Sequence, residues 1–563
     1  MCGIWALFGL EGDTLACACE NFSKITHRGP DAFNIEYDQR IKNGYIGFHR
    51  LSIVDGLSGM QPMRLCSYPE IFLLCNGEIY NYKQLGEEKD YKYDTKCDVE
   101  AIIHLYANAG AENVARSLDG VFAFCLMDLK KKRILIARDP YGVRPLFILK
   151  DGKGRLGICS ETKGLIGITE KFPSDWELKP FTPGFYQEYE LTEEGKVNLL
   201  RSVQYHKPGD KPGFTTFIPS VDLDSKDVSG NIRKLLTGAV KKRLMSERRI
   251  GCFLSGGLDS SLIAALFAAE AKKLNLPYKL QSFAIGMGDS PDIRAAKQVA
   301  EFIGTEHHEI IFTEEDVEQV LDQVIYQIET FDITTIRASI GMYILSKYVK
   351  TNTDTTVVFS GEGADELAQG YIYFKKAPNA EAAHEESLRL LKDIYLYDGL
   401  RADRTTSAYS LELRVPFLDL QFTNYFLSLD PSTRQPQNGI EKHLLRSAFM
   451  DSDLLPKNIL WRHKEAFSDG VTSAKKSLFE IIQDIVDKHV NESELQEAKN
   501  VYPHCTPSTK EAFYYRKVFE KHFPNRGKSL TPYFWMPKWI DGISDPSARF
   551  ISYYAAEDVK NGI

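Results

Sequence analysis

The sequence has no uninterrupted apolar run long enough to span a bilayer, although 43% of its 563 residues are hydrophobic. It also has no basic segment ahead of an apolar stretch at its start, the pattern of a secretion signal. Neither sign of charge dominates, since the formal net charge at pH 7 is only −8. These absences predict an ordinary globular protein that binds neither membranes nor nucleic acid.

Clustered cysteine and histidine ligands are also missing. The ten cysteines are scattered, and the closest pair, Cys17 and Cys19, lacks the CxxC spacing of zinc and redox sites. No HxxxH pair occurs among the twelve histidines. The sequence therefore predicts reduced thiols, no zinc site and a cytoplasmic (cytosolic) location.

The sequence pattern changes near residue 205. Before it, segments such as IFLLCNGEIYN and GVFAFCLMDL are rich in β-branched and aromatic residues, which predicts an α+β domain of many antiparallel strands over 2–205. Residues 206–228 are rich in Pro, Gly, Ser and Asp, which favours a linker. Helical and strand patterns then alternate, which predicts a parallel, doubly wound sheet in a second domain over 229–545. A tail over 546–563 has no interpretable pattern.

The strongest local signal is SGGLDSS, residues 255–261, between the strand-like RIGCFL and a helical pattern. Gly256 and Gly257 allow close backbone approach, and a helix start presents free N–H groups to an anion. Ser255 and Ser260 add hydroxyl donors. The segment predicts a phosphate or pyrophosphate cradle, with a plain tight turn as the alternative. It lacks the Gly-Lys-Ser/Thr ending of a Walker A loop, which argues against γ-phosphate transfer.

A second glycine-rich segment, SGEGADE (360–366), follows the strand-like TVVFSG. Because the carboxyl ends of parallel strands meet at one edge of a sheet, Asp259 and Asp365 are expected to flank one crevice. Two carboxylates near a triphosphate are what Mg²⁺ requires. The alternative is an ordinary acidic turn at a helix start.

Cys2 directly follows the initiator methionine in MCGIWALFG. Removal of Met1 would leave a thiol and an α-amine on one residue, and an amine with a pKa of about 7.7 to 8.0 can take the thiol proton. On these residues alone, a small residue placed there by chance is the favoured interpretation.

Further motifs follow in a fixed order: HRGPD (27–31), FHRLSIVD (48–55), CNGEIYN (75–81), DPYGVRPLF (139–147), LRADRTTSAYSLELRVPFLD (400–419) and WRHKEAFSDG (461–470). With MCGIWALFG and SGGLDSS, the chain resembles the glutamine-hydrolysing asparagine synthetases of eukaryotic type, from Cys2 to about Arg549. The resemblance implies an N-terminal four-layer Ntn-hydrolase domain, a class II glutamine amidotransferase. It implies a C-terminal parallel-sheet ATP pyrophosphatase domain, similar to the adenine nucleotide alpha hydrolases.

In the first domain, the resemblance implies hydrolysis of L-glutamine. Cys2 is expected to attack the side-chain amide with its own α-amine as base, while Asn76 and the N–H of Gly77 stabilise the oxyanion. Arg50 is expected to pair with the α-carboxylate of glutamine and Asp98 with its α-ammonium. The implied glutamine-binding residues are Arg50, Leu51, Ser52, Ile53, Val54, Asn76, Gly77, Glu78 and Asp98.

In the second domain, the resemblance implies L-aspartate and ATP as substrates, with β-aspartyl-AMP as intermediate and AMP, PPi and L-glutamate released. Glu362 is expected to position or deprotonate the attacking ammonia, and Lys464 to neutralise charge at the α-phosphate. The implied ATP-binding residues are Leu254, Ser255, Gly256, Gly257, Asp259, Ser260, Ile285, Ser360 and Gly361. Asp259 and Asp365 are the expected Mg²⁺ ligands, and Thr334, Thr335 and Arg337 the expected aspartate contacts. The resemblance also implies a homodimer and a sheltered passage for ammonia.

Two other functions compete with this one. Another adenylating amidotransferase, such as a β-lactam-synthetase-like enzyme, would be expected to lack a nucleophile at position 2, whereas this chain has Cys2 with Asn76. A catalytically silent scaffold would be expected to have lost one of five residues, and all five are present: Cys2, Asp259, Glu362, Asp365 and Lys464. The basic run KKRLMSERR (241–249) is interpreted as a solvated helix face.

Overall fold

The structure is a computed structural model, which describes residues 1–12, 14–210, 222–288, 290–464 and 477–540. The predicted tail over 546–563, residues 211–221 of the predicted linker and the last six residues of WRHKEAFSDG lie outside the described residues. No helix in the described part is both long enough and apolar enough to cross a membrane.

Residues 3–204 form two six-stranded antiparallel sheets with helices between the strands. The strands are β1 (Gly3–Phe8), β2 (Ala32–Glu36), β3 (Tyr45–Arg50), β4 (Met63–Leu65), β5 (Tyr68–Ile79), β6 (Gly120–Asp128), β7 (Arg133–Arg138), β8 (Phe147–Lys150), β9 (Leu156–Cys159), β10 (Glu177–Pro180), β11 (Phe185–Leu191) and β12 (Val197–Gln204). The helices are α1 (Leu15–Ser23), α2 (Tyr82–Lys89), α3 (Glu100–Ala109), α4 (Ala111–Ser117) and α5 (Lys163–Lys171). The sheet orders are β10-β8-β9-β1-β3-β2 and β12-β11-β7-β6-β5-β4.

Strand β1 is buried on both faces because each sheet has a second layer behind it. Ile4, Ala6 and Phe8 point into the core between the two sheets. The alternate residues Trp5 and Leu7 pack in the core beneath α1 and α5, where the Trp5 indole N–H donates to the Gly164 carbonyl at 2.7 Å. Helices α3 and α4 cover the outer face of the second sheet. The first domain therefore has four layers, in the order helix, sheet, sheet, helix, which confirms the four-layer prediction.

The second domain is built on a five-stranded parallel sheet of order β15-β14-β13-β16-β17. Its strands are β13 (Arg249–Phe253), β14 (Gln281–Gly286), β15 (Glu306–Ile311), β16 (Thr355–Phe359) and β17 (Glu412–Arg414). From β13 the chain winds outward to β14 and β15, then returns to the other side of β13 as β16. The strand order therefore reverses between β13 and β16, and SGGLDSS and SGEGADE follow these two strands. Ligands bind at such reversal points in open parallel sheets.

Helices cover both faces of this sheet and extend beyond it. They are α6 (Val228–Lys242), α7 (Leu258–Lys273), α8 (Pro291–Ile303), α9 (Glu314–Ile328), α10 (Ile333–Asn352), α11 (Ala364–Leu367), α12 (Ala380–Asp393), α13 (Asp398–Ser407), α14 (Leu420–Ser428), α15 (Pro431–Arg434), α16 (His443–Ala448), α17 (Lys457–Leu460), α18 (Leu478–Val486), α19 (Glu492–Gln496), α20 (Ala498–Val501), α21 (Lys510–His522) and α22 (Gly527–Leu530). Helix α8 has residues typical of its two ends: Ser290 caps its start, and Gly304 ends it in the left-handed conformation.

Strand β17 lies after residue 380, where helical patterns dominate the sequence. It pairs with β16, with Val357 opposite Glu412. Three residues are too few to show the alternation that identifies a strand. Its place beside β16 depends instead on the packing of the whole sheet.

The basic run 241–249 is not the solvated helix face that its composition indicated. Helix α6 ends at Lys242, and Arg243 is buried with its Nη1 2.8 Å from Asp419 Oδ2. Further along, the Glu247 carboxylate accepts hydrogen bonds from the N–H groups of Asp55 and Gly56 in the first domain. The run therefore joins the two domains.

Candidate active site

Cys2 lies in a backbone cradle at the start of β1. Its Sγ is 3.4 Å from the N–H nitrogen of Leu51 and 3.5 Å from the Leu51 carbonyl oxygen. Burial raises the pKa of the Cys2 thiol above its ordinary value, so the thiol needs a base to become a nucleophile. The Met1 α-amine, whose pKa burial lowers, lies beside it, 3.7 Å from Glu412.

Asn76 and Gly77 lie at the end of β5, which contacts β1 across the inter-sheet core. The Asn76 amide is fully buried, and among the described residues neither its nitrogen nor its oxygen has a hydrogen-bond partner. Buried amides are almost always paired, so this one is available to a ligand. A Cβ on Gly77 would lie 2.2 Å from the Val121 carbonyl oxygen, so only glycine allows this strand spacing.

Arg50 and Asp98 supply opposite charges to the same region. The Arg50 guanidinium donates to the carbonyls of Asp55 and Gly56, the loop that Glu247 holds from the second domain. Asp98 accepts from the Ile79 N–H at 2.6 Å, and burial raises the pKa of its carboxyl to about 7. Ser52, Ile53 and Val54, the remaining residues of the predicted glutamine pocket, follow Leu51 in the segment between Arg50 and Asp55.

Glu78 joins this site to the second domain. It pairs with the buried Arg144, which also lies 3.9 Å from Glu412 in β17. Burial raises the pKa of Glu78 to about 8. Burial also opposes ionisation of Glu412, but Arg414 and its other cationic neighbours keep the Glu412 pKa low. Strand β17 thus places charged side chains of the second domain's sheet beside Cys2 and Glu78.

The segment after β13 has the shape expected of a phosphate cradle. Ser260 Oγ accepts from the N–H of Ser255 at 3.1 Å and lies 3.0 Å from Ser255 Oγ, which closes the loop on itself. Gly256 has a φ of +75°, and a Cβ there would lie 2.5 Å from the Ala296 nitrogen. The loop opens into the start of α7, whose N-terminal N–H groups favour an anion.

The two strand-end segments approach each other closely. A Cβ on Gly361 would lie 2.8 Å from the Asp259 Cβ, so the contact requires glycine. Asp259 and Asp365 are bridged by the Lys442 ammonium, which lies 2.6 Å from Asp365 Oδ1. Asp259 Oδ1 is buried and has no hydrogen-bond partner among the described residues. Carboxylate oxygens are the ligands that a hard divalent cation prefers, so this pair of aspartates fits such an ion.

A cavity of about 310 Å³ lies over these segments. The predicted residues that line it are Leu254, Ser255, Gly257, Asp259, Ser260, Ile285, Thr334, Arg337, Ser360, Gly361, Glu362, Asp365 and Lys464. Two predicted residues, Gly256 and Thr335, lie in the described part of the chain but do not line the cavity. Gly256 shapes the turn, and the Thr335 hydroxyl donates to Asp332 at 2.8 Å, where Asp332 caps α10.

Glu362 and Lys464 both line the cavity. Glu362 accepts from Arg401 at 2.9 Å, and burial raises its pKa to about 7. The Lys464 ammonium lies 2.6 Å from Asp365 Oδ2; burial opposes its charge, but Asp365 and Asp259 raise its pKa. A carboxyl that titrates near neutrality beside a fixed cation is suited to acid–base chemistry at an anionic substrate.

Sequence reasoning missed Lys442 and Arg401. Arg401 lies in the motif LRADRTTSAYSLELRVPFLD (400–419), although no role was predicted for it. Lys442 lies in NGIEKHLL, which has no glycine-rich or charge pattern. Lys442 also has a φ of +55°, which is unusual for a lysine, and its ammonium contacts both aspartates. No local signal could have identified it.

Comparison with known proteins agrees with this geometry. Residues 1–214 match the glutamine amidotransferase domain family, and residues 231–381 and 375–540 match the asparagine synthase family. The asparagine synthetase [glutamine-hydrolyzing] of Rattus norvegicus is 53% identical over 560 residues, 98% of this chain and 99% of its own. The Bos taurus protein of that name is 52% identical over 562 residues, 99% of each chain, and the Homo sapiens protein is 52% identical over 560 residues, 98% of this chain and 99% of its own. The chain therefore belongs to the glutamine-hydrolysing asparagine synthetases.

Proposed function

We propose that this asparagine synthetase makes L-asparagine through β-aspartyl-AMP, releasing AMP, PPi and L-glutamate. One observation carries the proposal: the serine- and glycine-rich loop, the Asp259–Asp365 pair and Lys464 meet at one 310 Å³ cavity. That set can hold a triphosphate and neutralise charge at the phosphate nearest an acyl group. A carboxylate is a poor electrophile because its leaving group would be oxide, and adenylation replaces oxide by AMP.

In the glutaminase step, Cys2 is the nucleophile and its own α-amine, exposed once Met1 is removed, is the base. The oxyanion is received by the N–H of Gly77 and by the Asn76 amide, which is buried and has no hydrogen-bond partner in the described part of the chain. Arg50 pairs with the α-carboxylate of glutamine and Asp98 with its α-ammonium, while residues 51–54 and Glu78 complete the pocket. Water then hydrolyses the glutamyl thioester, which yields glutamate and frees the thiol.

The pKa of Asp98 predicts that glutamine binding depends on pH. Below pH 7 the Asp98 carboxyl gains a proton and loses its attraction for the substrate ammonium, so the Kd for glutamine should rise as pH falls. Calorimetry on Cys2→Ala, which binds without reacting, measures this directly. The double variant Cys2→Ala/Asp98→Asn should bind about 10- to 100-fold more weakly at pH 8. It should lose the change in Kd centred near pH 7 and keep only the change near pH 8 that belongs to Glu78. A rise centred near pH 7 that persists in the double variant would contradict the assignment.

In the synthetase step, Leu254, Ile285, Ser360 and Gly361 hold the adenosine portion of ATP, and the 255–260 loop holds the pyrophosphate. Asp259 and Asp365 would hold Mg²⁺, which screens phosphate charge when bound. Lys464 stabilises charge at the α-phosphate, and Arg337 and Thr334 orient aspartate. Thr335 binds Asp332 at the start of α10, the helix that carries all three of the predicted aspartate contacts. Glu362 positions or deprotonates the ammonia that attacks the acyl carbon.

Isotope transfer tests the intermediate. Aspartate labelled with ¹⁸O in its β-carboxylate should pass one labelled oxygen to AMP, because the acyl–oxygen bond breaks when ammonia attacks. Mass spectrometry of the AMP formed from ammonium, ATP and Mg²⁺ measures the transfer. Unlabelled AMP would rule out β-aspartyl-AMP. Label in inorganic phosphate would indicate acyl phosphate chemistry, and absence of any product would favour a different acceptor.

Three further proposals concern the protein as a whole. Ammonia passes between the sites along the buried surface near β17, sheltered from protonation. The chain forms a homodimer, as its family resemblance implies, and light scattering would measure its mass against the 63.8 kDa of one chain. The enzyme works in the cytosol, where the ten free thiols remain reduced; cell fractionation would test this location.

A further inference from the structure

A cluster of buried charged side chains crosses the interface between the two domains. Three come from the amidotransferase domain and three from the synthetase domain, and none of their side chains is more than 2% exposed. They alternate in sign, so every carboxylate contacts at least one cation. The members are Arg28, Glu161, Lys163, Glu329, Asp403 and Arg404. Buried charges are stable only with such pairing.

Arg28 is the member that contacts the glutaminase nucleophile. Its Nε donates to the carbonyl oxygen of Cys2 at 3.0 Å. The other edge of the same guanidinium donates twice to Asp403, from Nη1 to Oδ2 at 2.9 Å and from Nη2 to Oδ1 at 3.1 Å. A guanidinium is planar and rigid, so a two-point contact at one edge sets the direction of the remaining N–H.

Asp403 lies on α13, which also contacts the synthetase site. Two residues earlier on that helix, Arg401 donates to Glu362 at 2.9 Å, and Glu362 lines the nucleotide cavity. On the other side of Asp403, Arg404 contacts Glu329 at 3.1 Å, at the end of α9. One helix therefore touches both the ammonia-accepting site and the residue that holds the Cys2 main chain.

We propose that Asp403 is a positioning residue for the glutaminase reaction, acting across the domain interface through Arg28 on the main chain of Cys2. The inference rests on the proposed role of Cys2 as nucleophile. Asp403 touches no substrate: it fixes Arg28, and Arg28 fixes the carbonyl whose orientation determines where the Cys2 side chain and α-amine lie. The synthetase domain thereby supplies part of the geometry of the other domain's active site.

The test is the substitution Asp403→Asn. Asparagine has nearly the same shape as aspartate, but it has no charge and presents an amide NH₂ to the Arg28 guanidinium, so the two-point contact is lost. Glutamate release should fall at least tenfold through kcat, since a displacement of about 1 Å can cost about 100-fold. The KM for glutamine and asparagine formation from ammonium should each stay within twofold of wild type. The ratio of asparagine formed to glutamine hydrolysed should not change.

Asp419→Asn is the matched control. Asp419 is an equally buried carboxylate that contacts two cations, Lys242 at 2.6 Å and Arg243 at 2.8 Å, but does not contact Arg28. If its glutamate release falls as far as that of Asp403→Asn at equal loss of thermal stability, the effect is general destabilisation and the inference is wrong. An equal loss of ammonium-dependent synthesis in Asp403→Asn, or glutamate release that continues without asparagine formation, would also overturn it.

Ser407→Ala keeps the inference testable if Asp403→Asn does not fold. The Ser407 hydroxyl accepts from Arg28 Nη1 at 3.1 Å, and its loss should lower kcat for glutamate release two- to fivefold with KM unchanged; no change would count against the inference. Cys2→Ala separates the two hypotheses. If it still hydrolyses glutamine, the proposed function fails, whereas if it is inactive and Asp403→Asn is normal, only the role of Asp403 fails.

Discussion

Cys2→Ala is expected to lose glutamine-dependent asparagine synthesis by at least about 1,000-fold, because no other group can form the thioester. Synthesis from ammonium should stay within twofold of wild type, since the ATP cavity lies in the other domain. The measurement compares asparagine formed with ATP, Mg²⁺ and aspartate, and with either glutamine or ammonium as nitrogen donor. This is the largest effect that the structure predicts for one side chain.

Cys19→Ala is the control for that experiment, because Cys19 is also a partly buried free thiol but lies on α1. It should retain both activities. If Cys2→Ala still makes asparagine from glutamine, the nucleophile assignment is wrong. If wild type makes none from ammonium, either the acceptor is not aspartate or the synthetase site is silent.

Lys464→Met is expected to lower asparagine formation about 100- to 1,000-fold from both nitrogen donors. Lys464 lines the cavity and its ammonium lies 2.6 Å from Asp365 Oδ2. Methionine keeps most of the length of the side chain while removing the charge. Glutamate release should continue, because Cys2, Asn76 and Asp98 are untouched. The measurement is glutamate and asparagine production in the same reaction.

The control for Lys464→Met is the same substitution at an exposed lysine, Lys457. Lys457 lies on α17, shortly before Lys464 in sequence, and does not line the cavity. Lys457→Met should change either product by less than twofold. Asparagine formation by Lys464→Met at a near-normal rate would show that the charge at the α-phosphate is neutralised by another residue, with Lys442 the first alternative.

Local sequence signals identified most of what each active site contains. Their β-branched and aromatic residues identified β5 and β6 as strands, and the glycines and serines of SGGLDSS identified a turn into a helix start. The same holds for α8, whose start and end residues match their capping roles. These features are encoded by neighbours in sequence, because strand pleat, helix caps and tight turns each depend on a few adjacent residues.

The sequence did not identify the residues that act through distant partners. Lys442 carries no motif, yet it bridges two aspartates more than seventy positions away. The basic run 241–249 was interpreted as a solvated surface from composition alone, whereas Arg243 is buried against Asp419. A sequence shows where the charged side chains are, but it does not show whether another segment of the chain will bury them.

By itself, the sequence determined the two-domain plan and named a candidate phosphate loop and Cys2 as a candidate nucleophile. Only the tertiary structure decided that Arg28 and Asp403, 375 residues apart, share a bidentate contact behind that nucleophile. The reason is physical: a loop, a cap or a strand is fixed by interactions along the chain. The partner of a buried charge depends on how whole sheets and helices pack together, so the residues next to that charge in sequence do not predict its partner.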